Sequence, residues 1–119
     1  MEDKLLEDTT RSYKANVVSV YDGDTITVDI DLGLDIVFHS QSIRLYGINT
    51  PEVRGTERPE GLNARDYLRS LILGKEIRLY TVDNDKRGKY GRLLGILKLD
   101  EVNINQHLLD SGYAVPYGA

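Results

Sequence analysis

Two acids flank a glycine in Asp22-Gly23-Asp24-Thr25. A second run, Ile43-Arg44-Leu45-Tyr46-Gly47-Ile48-Asn49-Thr50-Pro51-Glu52, brings an arginine, an amide, a threonine and a glutamate within nine positions. A third piece, Lys89-Tyr90-Gly91-Arg92, adds another arginine. Carboxylates favour hard cations such as calcium or magnesium. A guanidinium grips phosphate oxygens through a planar fork that lysine lacks. Breaking a phosphodiester calls for this kind of set. Positive charge must offset the phosphate, donors must stabilise the five-coordinate transition state, and a water must be aligned in line. On residue type alone, Asp24 is the expected cation ligand and Arg44 and Arg92 the phosphate donors. Glu52 is best placed to accept a proton from water or to orient it.

Each piece also has a plainer reading. Asp22-Gly23-Asp24 suits a hairpin turn, and Thr50-Pro51-Glu52 suits a helix start. Arg44 fits a surface charge paired across a sheet, and Lys86 to Arg92 fits a solvated loop. What favours a site is their co-occurrence in one small domain. The two histidines, His39 and His107, are far apart and lack partners at metal-ligand spacing. No serine is flanked as a nucleophile, and no glycine-rich phosphate cradle is present.

The elements that must position these residues follow from periodicity. Val17 to Tyr21 predicts a strand entering a turn at Asp22-Gly23. Ile26, Val28 and Ile30 alternate with polar residues as in a half-buried second strand. A third strand is expected from about Ile36 to Ile48, with a break near His39-Ser40-Gln41. Residues 53–59 read as a loop. Ala64, Leu68, Leu71 and Ile72 then repeat at helical spacing up to Gly74. Strands are expected over Glu76–Val82 and Arg92–Leu99, with a short helix from Asn103 to Gly112. The order of three strands, helix, two strands, helix is that of a five-stranded OB-fold Greek-key barrel with two to three α-helices, an α+β class. Residues 1–12 read as a flexible arm and 13–119 as the domain.

With 119 residues, 40% of them hydrophobic and 29% charged, the chain has the size and make-up of one ordinary globular domain. It has no cysteine, which excludes a disulfide framework and a thiolate zinc site. The acidic start lacks the apolar segment of a secretory signal and nothing is long enough to span a bilayer. The expectation is an intracellular monomer without a membrane partner. The net charge of −4 is unevenly spread: residues 1–35 hold nine acids and three bases, so the remainder is net basic. Lys86, Arg87, Lys89 and Arg92 fall within seven positions. Such a loop can hold phosphate locally, but not duplex DNA at high nonspecific affinity. The eight tyrosines suit the stacking surface that OB barrels offer to single strands.

Taken together, Asp22-Gly23-Asp24-Thr25, Ile43-Arg44-Leu45 with Thr50-Pro51-Glu52, and Lys89-Tyr90-Gly91-Arg92 resemble the staphylococcal nuclease (thermonuclease) family. The resemblance runs from about Asn16 to Tyr117. It implies an OB-fold barrel with a calcium-dependent phosphodiesterase site for single-stranded DNA and RNA, leaving 3′-phosphate ends. By resemblance, Asp24 is the primary calcium ligand and Thr50 contributes a carbonyl. Arg44 and Arg92 are the catalytic arginines, and Glu52 is the general base or water-positioner. Tyr90 and Tyr117 flank the nucleotide and Lys89 lies on the phosphate side. Asn49 stands where the family usually has a second calcium-binding aspartate. One negative charge is thereby lost, which implies a weaker cation site, with magnesium or manganese as alternative ions. The competing reading is an OB-fold nucleic-acid-binding module with weakened or lost hydrolysis. A protein-interaction domain ranks last, because it leaves the pairing of Arg44 with Arg92 unexplained.

Overall fold

The computed structural model describes residues 4–117, except for the side chains of Lys4, Leu5 and Lys89. Its strands are β1 (Thr9–Asp22), β2 (Thr25–Gly33), β3 (Ile36–Leu45), β4 (Ile48–Asn49), β5 (Glu76–Val82), β6 (Leu93–Leu99), β7 (Val102–Asn103) and β8 (Val115–Pro116). Helix α1 covers Arg58–Ile72 and α2 covers Ile104–Asp110. Sheet neighbours run β3-β2-β1-β5-β6-β7, and a further parallel pairing of β3 with β6 closes five strands into a barrel. This is the expected OB-type barrel.

The alternation in β2 does what period two requires. Ile26, Val28 and Ile30 are buried, and Val17, Val20, Ile43, Leu45, Leu79, Ile96 and Leu97 are buried with them. Both helices contribute through one stripe: Ala64, Leu68 and Ile72 from α1, Ile104 and Leu108 from α2. Removing any one of these larger aliphatic side chains down to alanine would cost about 2–5 kcal/mol.

Strand β1 starts well before the expected place. Thr9 to Ser12, read as part of an arm, pair with Val82 to Tyr80 of β5. That half of β1 has no buried residue before Ala15, so ladder hydrogen bonds hold it and no hydrophobic period marks it. Met1 to Asp3 of the expected arm lie outside the described residues. The break expected near His39 is a β-bulge within one strand. Val28 pairs with Gln41 and Ile30 with Phe38, so Asp29 faces both His39 and Ser40. The Asp29 carboxylate accepts from the Ser40 N–H at 2.8 Å and lies 3.2 Å from His39 Nδ1, which fixes the bulge.

Thr50-Pro51-Glu52 does not start a helix. That run is irregular, and α1 begins at Arg58 with Pro59 in its first turn. The fixed φ of proline is tolerated there because the missing N–H has no partner to lose. The beginning of α1 is pressed hard against the run it follows. A Cβ on Gly61 would fall 1.9 Å from the Glu52 carbonyl oxygen, so only glycine permits this approach.

Candidate active site

Sheet register brings the three sequence motifs to one place. Arg44 sits between two partners, Thr25 of β2 on one side and Leu94 of β6 on the other. Asp24 immediately precedes Thr25, and Arg92 lies two residues before Leu94, on the same side of the strand direction. The barrel closure therefore gathers residues far apart in sequence without any further device.

They line a cleft of ≈ 760 Å³ that also includes Asn49, Glu52, Tyr90 and Tyr117. Strand β4 pairs with β8, Asn49 opposite Val115, and the Tyr117 N–H donates to the Gly47 carbonyl at 3.0 Å. Those contacts carry Tyr117 to Arg44, whose guanidinium carbon lies 5.3 Å from the ring centre. Arg92 lies 5.2 Å from the centre of the Tyr90 ring. Tyr90 holds a φ of 66°, a conformation that a non-glycine residue adopts only at a cost.

The two arginines are held differently. Arg44 Nη1 donates to the carbonyls of Leu45 and Ile48, both at 2.9 Å, and lies 3.5 Å from Asp24 Oδ2. Its Nη2 donates to Asn49 Oδ1 at 3.2 Å. Arg44 is thus part of the frame of the turn between β3 and β4. Arg92 Nη1 donates to Thr25 Oγ1 at 3.3 Å, while its Nε is buried with no hydrogen-bond partner. A buried, unsatisfied donor on a cation is costly, and Arg92 itself lines the cleft.

A family model described as staphylococcal nuclease homologue matches residues 42–119. The chain belongs to the staphylococcal nuclease family. It is 32% identical over 107 residues to a thermonuclease of Staphylococcus hyicus, covering 87% of this chain and 58% of that protein. It is 31% identical over 134 residues to an uncharacterised protein of Methanocaldococcus jannaschii, 92% of this chain and 62% of that one. A prophage-derived endonuclease of Bacillus subtilis is 31% identical over 96 residues, 78% of this chain and 30% of its own length. The chain spans about half the length of the curated relatives it matches.

Within this nuclease-family cleft, two acids lie at the floor. Asp24 Oδ2 accepts the Thr50 N–H at 2.9 Å, and the Asp24 N–H donates to Asp22 Oδ1 at 3.0 Å. A Cβ on Gly23 would meet Thr50 Oγ1 at 2.8 Å and Ala64 Cβ at 2.9 Å, so Thr50 and α1 cover the turn that holds both acids. Thr50 lies behind the cleft rather than on its wall, with a buried, unpartnered Oγ1. The Lys89 side chain lies outside the described residues. Sequence reasoning did not pick out Tyr21 or Leu94, which also line the cleft beside Thr25 of the first motif and Arg54 of the loop after Glu52. Only the register and the loop path place them there.

The donor set suits a hard cation. The acids are oxygen donors, no thiolate exists, and among the described residues no three histidine or acid side chains gather at one point. Carbonyl, amide and water oxygens must therefore complete any coordination shell. The two acids also need compensation. Burial pushes the Asp22 carboxyl up to about 7, and its hydrogen bond to the Asp24 side chain and the Asp24 charge add to this. The Asp24 backbone N–H pulls the other way, and the Glu52 charge again raises it.

That shift has a sign that can be checked. In the folded chain without cation, Asp22 keeps a proton that the unfolded chain has released, so stability falls as pH rises from about 4 to about 7. Melting temperature measured in chelator is expected to drop over that window, and Asp22→Asn should flatten the drop. The carboxylate of Asp29 is lowered, chiefly by the Ser40 N–H, and so acts only below this window. An equal pH slope in native chain and variant would contradict the assignment.

Proposed function

We propose that this chain is a metal-dependent nuclease that hydrolyses phosphodiester bonds of single-stranded DNA or RNA as a monomer and leaves 3′-phosphate ends. One observation carries the reading. The guanidinium groups of Arg44 and Arg92 line the same cleft as Asp24 and Glu52.

The Asp24 carboxylate, the Asn49 amide and the Thr50 carbonyl would hold a calcium ion, with Asp22 adding charge beside them. A hard cation there would supply Lewis-acid stabilisation of charge on the phosphate. The residues of the chain account for the rest. Arg44, fixed by the carbonyls of Leu45 and Ile48, presents its remaining hydrogens to the phosphate in a set geometry. Arg92 uses its outer guanidinium nitrogens. These contacts strengthen as charge builds on the equatorial oxygens, so they favour the transition state over the bound substrate. Glu52, exposed at the cleft mouth and held from behind by Gly61, accepts the proton of the attacking water. Water adds to phosphorus and the bond to the 5′ oxygen breaks. The leaving oxygen takes a proton from solvent. Tyr90 and Tyr117 offer ring faces to the adjoining bases, and Lys89 a charge to the phosphate.

A binding module without hydrolysis is favoured by one observation: the Asn49 amide oxygen is already engaged by Arg44. Asn49→Asp separates the two readings. For the nuclease it is expected to tighten calcium binding by about tenfold, read by calorimetry, and to raise cleavage at limiting calcium. The decisive experiment is cleavage of a labelled single-stranded oligonucleotide with calcium or with chelator, followed by analysis of the product ends. Calcium-dependent 3′-phosphate products are expected from the native chain and not from Glu52→Gln at comparable rate. Binding without cleavage in the native chain, in Asn49→Asp and with every cation would overturn the proposal.

A further inference from the structure

Each of the three arginines that line the cleft is joined to a tyrosine. Arg44 lies by Tyr117 and Arg92 by Tyr90. The third pair has no part in the mechanism above. Arg54 Nη2 donates to the Tyr21 hydroxyl at 2.7 Å, and both residues line the same cleft as Asp24 and Glu52. Tyr21 comes from the end of β1, next to the acid turn. Arg54 comes from the loop two residues beyond Glu52.

The loop that carries Arg54 is stapled from within. The Glu52 N–H donates to Glu57 Oε1 at 2.9 Å, and Arg58 Nη1 donates to the Val53 carbonyl at 3.1 Å. Its base is the close approach of Gly61 to Glu52. These bonds bracket the Arg54 backbone on both sides. The Tyr21 hydroxyl then occupies one of five guanidinium hydrogens, which orients the fork without consuming it. Tyr21 is 51% exposed, so much of it stands open beside an oriented cation. A phosphate-gripping fork next to an open ring is what one nucleotide of a single strand requires. The cleft of ≈ 760 Å³ has room for more than the reacting phosphodiester.

We propose that Arg54 and Tyr21 form an additional nucleotide subsite, in which Arg54 holds a phosphate and Tyr21 stacks a base neighbouring the bond that is cleaved. The cleft thereby selects a strand of several nucleotides over an isolated phosphodiester. The proposal rests on the nucleic-acid reading above, though not on hydrolysis. On a chain of net charge −4, affinity must come from few local contacts, so loss of one is readily measured.

The test is binding in chelator, where no cleavage confuses the readout. A fluorescent single strand of about eight nucleotides and a dinucleotide are titrated against the native chain, Arg54→Ala, Tyr21→Ala and Tyr21→Phe, at roughly 50 to 200 mM salt. Arg54→Ala is expected to weaken the longer strand about tenfold and to reduce the slope of log affinity against log salt by about 0.7. Tyr21→Ala should weaken it about fivefold or more with little change of slope, and Tyr21→Phe should restore most of that loss. For Arg54→Ala and Tyr21→Ala, the ratio of long-strand to dinucleotide affinity should fall. An unchanged salt slope in Arg54→Ala, or equal losses for both lengths, would overturn the subsite. So would a native chain that binds neither oligonucleotide. Native binding with these variant effects but no cleavage under any cation would keep the subsite and defeat only the hydrolytic reading.

Discussion

Arg92→Ala is expected to lower kcat/KM on a single-stranded oligonucleotide by on the order of 10²–10⁴, about 3–6 kcal/mol of transition-state stabilisation. The same change leaves folding stability within about 1 kcal/mol, because the guanidinium has one long bond to Thr25 and a buried N–H that nothing satisfies. Arg44→Ala costs a similar factor in rate and adds a structural loss. The carbonyls of Leu45 and Ile48 and the Asn49 amide all lose their donor, which is worth about 1–3 kcal/mol in urea unfolding. Steady-state kinetics beside unfolding curves separate the two arginines: one works mainly on the substrate, the other also holds the turn. Near-native turnover by Arg92→Ala would remove it from the catalytic set.

Asn105→Ala carries the largest expected loss of stability, about 3–5 kcal/mol. Asn105 is fully buried at the start of α2 and bridges the barrel seam. Its Oδ1 accepts the Leu97 N–H at 3.1 Å, and its Nδ2 donates to the carbonyls of Tyr46 at 2.9 Å and Gly95 at 3.2 Å. Alanine leaves the Leu97 N–H and the Tyr46 carbonyl without this partner, takes one of two donors from the Gly95 carbonyl, and opens a cavity beside them. With a urea slope of about 1–3 kcal/mol per molar for a domain of this size, the midpoint should fall by about 2 M. Asn105→Asp should not rescue it, since a carboxylate keeps the acceptor but lacks both donors and buries charge. A midpoint shift below about 0.5 M would show that the seam does not depend on this side chain.

Much of the fold and part of the cleft can be read from the sequence. The alternation of Ile26, Val28 and Ile30 and the helical spacing of Ala64, Leu68 and Ile72 mark buried faces directly, because burial is what period two and period 3.6 report. The Asp-Gly signal marked the first hairpin, although the turn itself is Gly23-Asp24, with Asp22 already paired to Thr25. The first residues of β1 left no trace, since backbone bonds to β5 hold them and none before Ala15 is buried. Asn105 looked like any polar helix residue. Its role exists only because the parallel pairing of β3 with β6 brings Tyr46 and Gly95 to it. Arg54 stood in a stretch without periodicity, and nothing local joins it to Tyr21, 33 positions earlier. Motif residues were readable because chemistry limits their types. Their neighbours were not, because loop paths and register depend on the whole barrel. No helix among the described residues is long and apolar enough to cross a membrane.

A cleft around Asp24 that hydrolyses phosphodiesters with the help of a hard cation must lose its activity with that cation or with that carboxylate. The most direct measurement is the initial rate of cleavage of an end-labelled single-stranded oligonucleotide by the native chain and by Asp24→Ala, each with calcium and with excess chelator. Cleavage by the native chain in calcium, its loss in chelator, and a rate at least about 10²-fold lower in Asp24→Ala are expected. Equal rates with calcium and chelator, or an Asp24→Ala protein as active as the native chain, would contradict this mechanism.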